Sequence, residues 1–143
     1  MADLDALIRL RKHTVDQKQK FLAELYRQIE ALQQKQADLR EGLEKERKLL
    51  ETQEMLEALS YYGRYASGVK VQIEIIQKDI DQLEKRIEIA RADLREAFSD
   101  MKKVEITARR REEELNKEMQ VKEDQELDEI ALEGYRRSQN TDE

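Results

Sequence analysis

The sequence predicts an all-α fold, a long antiparallel two-helix coiled-coil hairpin whose second helix is the longer. Three observations predict it: the chain of 143 residues has no proline and only four glycines, its composition is 42% charged and 5% aromatic, and its apolar residues recur every seven positions. Proline costs about 3 kcal/mol inside a helix, so its absence permits very long helices. Charged, aromatic-poor sequence can also be disordered, but the regular apolar spacing argues against that here.

The first half of the chain follows one heptad register, in which Ile8 is an a position. We call the row of a and d positions the seam. Gln36 is a polar residue on it, and such residues cost stability while fixing register or partner number. The a positions are Ile8, Val15, Leu22, Ile29, Gln36, Leu43 and Leu50, and the d positions are Leu4, Arg11, Lys18, Leu25, Leu32, Leu39 and Glu46.

The second half has a heptad register of its own, and the phase changes between Leu50 and Met55. Either a stutter in one continuous helix or a reversal of the chain explains this change. We favour reversal, because each half needs an apolar partner. We place it within 51–68, nearer the early end, although Gly63 and Gly68 are the better helix breakers. The a positions are Leu59, Ala66, Ile73, Ile80, Ile87, Leu94, Met101, Ala108 and Leu115, and the d positions are Met55, Tyr62, Val69, Ile76, Leu83, Ala90, Ala97 and Val104.

These registers predict one coiled-coil domain over 1–143. Helix 1 spans about 3–51, helix 2 spans about 56–136, and the tail 137–143 is disordered. If the turn lies near residue 52, Leu4 comes level with about Met101. The rest of helix 2 then has no partner within the chain, and we interpret it as a partner-binding or frayed segment.

Charge and composition exclude several classes of protein. The net charge of −6 argues against nucleic-acid binding, which needs clustered lysine and arginine. The chain has no cysteine, so neither disulfides nor thiolate metal sites are expected. The N-terminus lacks the apolar core of a signal peptide, and no apolar run is long enough to span a bilayer. We therefore expect a cytosolic protein that reaches a membrane only through a complex.

No residue pattern predicts catalysis, a cofactor or a metal. His13, the single histidine, falls at position f on the solvent side. Asp79 and Asp81 are two apart and point to different faces of a helix, which is poor geometry for a metal pair. The run 109–114, three arginines followed by three glutamates, is more typical of a solvated face with i,i+4 pairing than of a phosphate-docking patch. We expect a protein that is not an enzyme.

Three of the five tyrosines cluster near the predicted reversal. Tyr62 can serve the seam at d, and Tyr61 lies beside it. Tyr65 falls at g, where it either packs locally or forms an exposed aromatic hot spot for a partner, since tyrosine is enriched in such sites. The sequence leaves both roles open.

Two stretches resemble the FliJ family of flagellar export proteins. Helix 2 opens with tyrosines at 62 and 65 followed by apolar residues at 69, 73 and 76. The C-terminal part carries Asp128-Glu129-Ile130, then Tyr135 and two arginines. Chain length, the Leu-rich start with its arginine, and the two-helix organisation agree with the family over essentially the whole chain.

The resemblance implies an antiparallel coiled coil similar to the central stalk subunit of rotary ATPases. It implies association with the export ATPase FliI, its regulator FliH, the export gate FlhA and export chaperones, in the bacterial cytoplasm peripheral to the inner membrane at the flagellar base. The family has no catalytic residues and couples the ATPase ring to the gate. Apart from the resemblance, a hairpin with an unpaired segment can associate weakly with itself at high concentration, and the oligomeric state stays open. Carried over, the gate-binding residues are Tyr65, Val69, Gln72 and Ile76, and, by analogy with the stalk, the ring-facing residues are Leu4, Ile8, Arg11, Leu127, Ile130, Tyr135 and Arg136.

Two alternatives stay open. One is the equivalent stalk of a virulence type III secretion system, which the neighbouring genes would distinguish. The other is a prefoldin-like chaperone or structural coiled-coil adaptor, which would suppress aggregation without affecting an ATPase.

Overall fold

The computed structural model describes residues 2–52 and 56–141, with side chains from residue 4 onward, and all but one of these residues are helical. Helix α1 is Ala2–Glu51 and helix α2 is Leu56–Thr141. No strand occurs in the described ranges. The predicted fold class, two long helices packed as a hairpin, is confirmed.

The first helix ends at a threonine. The backbone N–H of Thr52 donates to the carbonyl of Leu49 at 3.2 Å, and its hydroxyl donates to the same carbonyl at 2.7 Å. These bonds satisfy a carbonyl that the helix end would leave unpaired. The phase change between Leu50 and Met55 therefore coincides with the interruption between the helices, although Met55 itself lies outside the described residues. Gly63 and Gly68 lie inside α2 and do not break it.

The second helix continues to Thr141, past the point where the sequence predicted a disordered tail. The hydroxyl of Thr141 donates to the carbonyl of Arg137 at 2.8 Å, and Arg137 pairs with Glu133 at 3.9 Å. Without a proline or an interior glycine after residue 134, nothing in the local chemistry stops the helix earlier. The prediction for 137–141 is corrected accordingly.

The chain divides into two compact units, where the sequence predicted a single domain. One unit is His13–Phe98 and the other combines Met1–Lys12 with Ser99–Glu143. Each contains part of α1 and part of α2.

In the unit His13–Phe98 the core lies along the seam. Leu25 is the most buried large side chain, with 1% of its surface exposed. Burying such a side chain stabilises the fold by roughly 1.5–3 kcal/mol. Leu22, Leu32 and Leu39 pack against the core from its edge. The buried core residues are Leu25, Ile29, Ile76, Ile80, Leu83, Ile87 and Ala90.

Gln36 is a buried polar residue of this unit, and its side-chain amide forms hydrogen bonds from α1 to α2. Its Nε2 donates to the carbonyl oxygen of Ile73 at 3.2 Å and to Oε1 of Gln77 at 3.0 Å. The amide of Gln77 in turn donates to Asp81 at 2.9 Å. Because an unpaired buried amide is costly, these bonds favour the register in which Gln36 lies opposite Ile73.

The seam is confirmed at its centre and differs at both ends. Leu59 is exposed, while the neighbouring Ala58 and Tyr62 are half-buried beside Leu50. Leu50 thus lies beside Ala58 and Tyr62; a pairing of Leu50 with Met55, which a turn near residue 52 predicts, falls outside the described residues. A shift by about one heptad keeps the same faces inward.

The unit Met1–Lys12 with Ser99–Glu143 shows the same shift. Leu4 lines a concavity with Ala108, Arg111 and Leu115, not with Met101 as predicted. Lys12 pairs with Glu105 at 4.0 Å. The two contacts run in opposite directions along the helices, so the helices are antiparallel here.

Candidate partner-binding surfaces

The C-terminal segment of α2 has little cover from α1. Every described residue from Arg109 onward is exposed, including Leu115, the last apolar residue beside the N-terminal end of α1. We call residues 116–141 the overhang. Its exposed apolar side chains are Met119, Val121, Leu127, Ile130, Leu132 and Tyr135. Helices gain most of their stability from packing apolar side chains, so these exposed residues are candidate contacts for a partner.

The ring-facing residues predicted on the overhang are accessible. Leu127 and Ile130 have 63% and 66% of their surface exposed. Tyr135 is exposed as well, and its hydroxyl accepts a hydrogen bond from Gln139 at 2.8 Å. Arg136 is exposed next to it.

The ring-facing residues predicted on α1 have a different setting. Leu4, Ile8 and Arg11 are half-buried, because their positions belong to the seam. The Nε atom of Arg11 is buried and has no hydrogen-bond partner among the described residues. Leu4 is level with Leu115, and Leu127 lies about 18 Å further along α2 at 1.5 Å per residue. The two groups therefore do not form one continuous patch.

The four residues predicted to bind the gate lie along α2 but differ in access. Val69 and Ile76 are each 6% exposed, in the interface with α1. Tyr65 is half-buried and Gln72 is exposed. A partner approaching the hairpin from solvent can therefore touch Tyr65 and Gln72, while Val69 and Ile76 hold the helix in place behind them.

Tyr65 takes part in packing and also keeps an accessible surface. Its ring stacks on that of Tyr61, with centroids 6.5 Å apart and planes 7° from parallel. Its hydroxyl lies 3.3 Å from where a Cβ at Gly42 would be, so the glycine on α1 gives the ring room to cross the interface. Tyr61 is largely exposed. Tyr65 thus combines contacts within the hairpin with an aromatic surface that it shares with Tyr61.

The sequence analysis missed an exposed apolar pair beside these residues. Val71 and Ile75 are 54% and 55% exposed and lie one turn apart, on the side of α2 that continues from Gln72. Their spacing was the available signal: in the heptad register they occupy f and c positions, where an apolar residue has no partner within a hairpin.

An exposed ion pair on α1, between Glu44 and Arg47, shifts the pKa values of both its members. Arg47 donates to Glu44 at 2.7 Å, and this bond with the guanidinium charge holds the pKa of the Glu44 carboxyl below its usual value. The same pair raises the pKa of Arg47. Both groups are solvent-exposed, so the pair contributes little to stability.

Two kinds of site are absent from the described ranges, a metal site and a membrane-spanning segment. No group of three histidine, cysteine, aspartate or glutamate side chains there has the arrangement to hold a metal ion. In those ranges neither helix contains a stretch that is long and apolar enough to cross a membrane.

A family model described as the flagellar FliJ protein matches residues 1–140 of the chain. Comparison with curated proteins and with solved structures gave no match.

Proposed function

We propose a function on the basis of family membership: this chain belongs to the FliJ family of flagellar proteins and is a component of flagellar protein export. We infer that it works without catalysis of its own, as a stalk that joins the export ATPase FliI, with its regulator FliH, to the export gate FlhA, and that it assists export chaperones. The flagellar family favours this function over a virulence-system stalk.

The overhang is the segment that we propose contacts the ATPase. It is a helix whose apolar side chains are exposed and receive little cover from the described part of α1, the arrangement that a central shaft needs in order to contact a surrounding ring. We assign the principal contacts to Leu127, Ile130, Tyr135 and Arg136, because tyrosine, arginine and large apolar residues dominate binding energies. Leu4, Ile8 and Arg11 then act mainly by fixing the N-terminal end of α1 on α2.

For the gate we propose the edge of α2 formed by Tyr65, Gln72 and Ile75. The stacked tyrosines provide an aromatic surface, and Ile75 extends it with an exposed apolar side chain. Val69 and Ile76 support this edge from the interface with α1.

ATP hydrolysis by a purified FliI-type ATPase tests the first half of the proposal. Adding the full chain should raise the hydrolysis rate. Ile130→Asp should weaken the effect about tenfold or more, since losing one hot-spot contact costs about 2 kcal/mol or more. The matched control is Ile89→Asp, because Ile89 is equally exposed at 64% but lies in the other unit. An unchanged hydrolysis rate with the wild-type chain would overturn the proposal.

Binding to the purified cytoplasmic part of the gate tests the second half. Tyr65→Ala should weaken binding, while Tyr26→Ala, which removes an exposed tyrosine of α1, should not. Circular dichroism separates the two roles of Tyr65. If Tyr65→Ala loses both binding and helicity, Tyr65 acts in packing, and the proposal that this edge binds the gate is rejected.

A further inference from the structure

Charge is distributed unequally along the second helix in the unit that contains the overhang. Residues 101–111 include five basic residues and one acidic residue, for a formal charge of +4. Residues 112–135 include ten acidic and two basic residues, for a formal charge of −8. The boundary falls inside the run 109–114, between the arginines and the glutamates. The helix is therefore a rod with a basic stretch followed directly by an acidic one.

An uncovered face of α2 runs through both stretches. Ala108 is turned towards α1, and Ile106, two residues earlier, lies about 200° away around the helix at 3.6 residues per turn. Residues three or four apart continue this outer face. All of its members are exposed: Ile106, Arg109, Glu113, Lys117, Asp124 and Leu127.

We propose that this outer face binds a second copy of the chain, antiparallel, so that the basic stretch of each copy lies on the acidic stretch of the other. In such a pairing the numbers of facing residues add up to a constant. When Ile106 of one copy faces Leu127 of the other, Arg109 faces Asp124, and Arg110 and Glu123 flank this contact at the same level. By two-fold symmetry each of these contacts occurs twice. Because this pairing also uses Leu127, a second copy would compete with the proposed ATPase contact for the overhang.

Charge selects this pairing over its competitors. A parallel pair would place the +4 stretches on each other and the −8 stretches on each other. An antiparallel pair formed by the two overhangs alone would place the acidic stretch of one copy on the acidic stretch of the other. Only the offset antiparallel pair brings opposite charges together and also gives an apolar contact, between Ile106 at 43% and Leu127 at 63% exposure. Like-charge contacts are unfavourable in paired helices, whereas opposite charges set partner and orientation.

Sedimentation and native mass spectrometry of the isolated full chain test the proposal. The wild-type chain should form dimers with rising concentration, less readily at ~500 mM than at ~50 mM salt, since salt screens exposed charges. A chain that stays monomeric throughout, or a dimer that salt does not weaken, would overturn the proposal.

Two variants sharpen the test. The first, Arg109→Glu with Arg110→Glu, and the second, Glu123→Arg with Asp124→Arg, should each dimerise about tenfold more weakly or worse, because the two Arg109–Asp124 pairs become repulsive and the charges that flank them become alike. Mixed together, they should form a heterodimer, because residue 109 of each copy then again faces a residue 124 of opposite charge. A mixture that remains monomeric, or single variants that dimerise like the wild type, would reject this pairing.

The control is Lys78→Glu with Lys85→Glu, two exposed lysines of the other unit, which changes the net charge as much as the first variant does. It should dimerise like the wild type. Circular dichroism of all variants shows whether the helix is retained. If a charge-reversal variant loses helicity, a milder variant replaces it. Arg109→Gln with Arg110→Gln removes the attraction between the copies without adding repulsion and should still weaken the dimer.

Discussion

Replacement of Ile80 by aspartate probes the seam at its most sensitive point. Ile80 is 3% exposed and belongs to the cluster formed by Leu25, Ile29, Ile76 and Leu83. The core of a two-helix hairpin is a single row of side chains, so no second layer compensates for a charge placed in it. The substitution removes a buried side chain and introduces a carboxylate without a cationic partner.

The magnitude follows from burial. Truncating a buried isoleucine costs about 2–5 kcal/mol, and leaving a buried polar group unpaired adds about 1–3 kcal/mol. We therefore expect a loss of about 4 kcal/mol or more in the free energy of unfolding. Domains are stable by only about 5–15 kcal/mol, so this variant should lose most of its helical structure close to room temperature.

Thermal and urea unfolding followed by far-ultraviolet circular dichroism measure the effect. The matched control is Ile75→Asp, the same substitution at a 55% exposed position on the same helix, which should cost less than about 1 kcal/mol. A melting temperature of Ile80→Asp close to that of the wild type would refute the assignment of the seam. Equal damage from both substitutions would refute it too.

Three smaller predictions concern single positions. Gln36→Leu should leave the chain as stable or raise its melting temperature, because an apolar side chain replaces a buried amide, but disulfide cross-linking between engineered cysteines should then detect more than one register. Gly63→Ala should raise the free energy of unfolding by about 1 kcal/mol, since nothing lies within 4 Å of the new Cβ. Gly42→Ala should raise it less, because the Tyr65 hydroxyl lies 3.3 Å from the new Cβ, and urea unfolding of both variants measures the difference. The pKa of Glu44 is lowered by its bond to Arg47 and should rise in Arg47→Gln when it is titrated by NMR. Because this pKa is lower in the folded than in the unfolded chain, the small stabilisation is present above the unfolded-state pKa and is lost as the pH falls through the folded-state pKa.

The heptad count predicts most of the fold. It places Leu25, Ile29, Ile80 and Leu83 in one buried row, and it places Gln36 among them. Periodicity can do this because the residues of one helix face recur at fixed spacing whatever the partner is. It does not fix the register between the helices, since a shift of one heptad leaves the same faces inward. That is why Leu4 lies beside Ala108 and Leu115 and not beside Met101.

The candidate surfaces were harder to predict, and one conflict was visible in the sequence. Val69 and Ile76 occupy d positions of the second register, which predicts burial, while the family resemblance places them on a docking surface. The structure buries both. Val71 and Ile75 lie in positions that a hairpin leaves open to solvent, so periodicity identifies them as unpartnered. What binds them depends on the partner's surface, on which a single chain carries no information.

Flagellar protein export in living cells tests the central claim most directly. In a strain of the source bacterium lacking this gene, the amount of filament protein secreted into the medium is measured after complementation with the wild-type chain, Ile130→Asp or Ile89→Asp. We predict restored secretion with the wild type and Ile89→Asp, and strongly reduced secretion with Ile130→Asp at equal protein level and helicity. Normal secretion in the deletion strain, or full restoration by Ile130→Asp, would contradict the assignment of the overhang as the coupling surface.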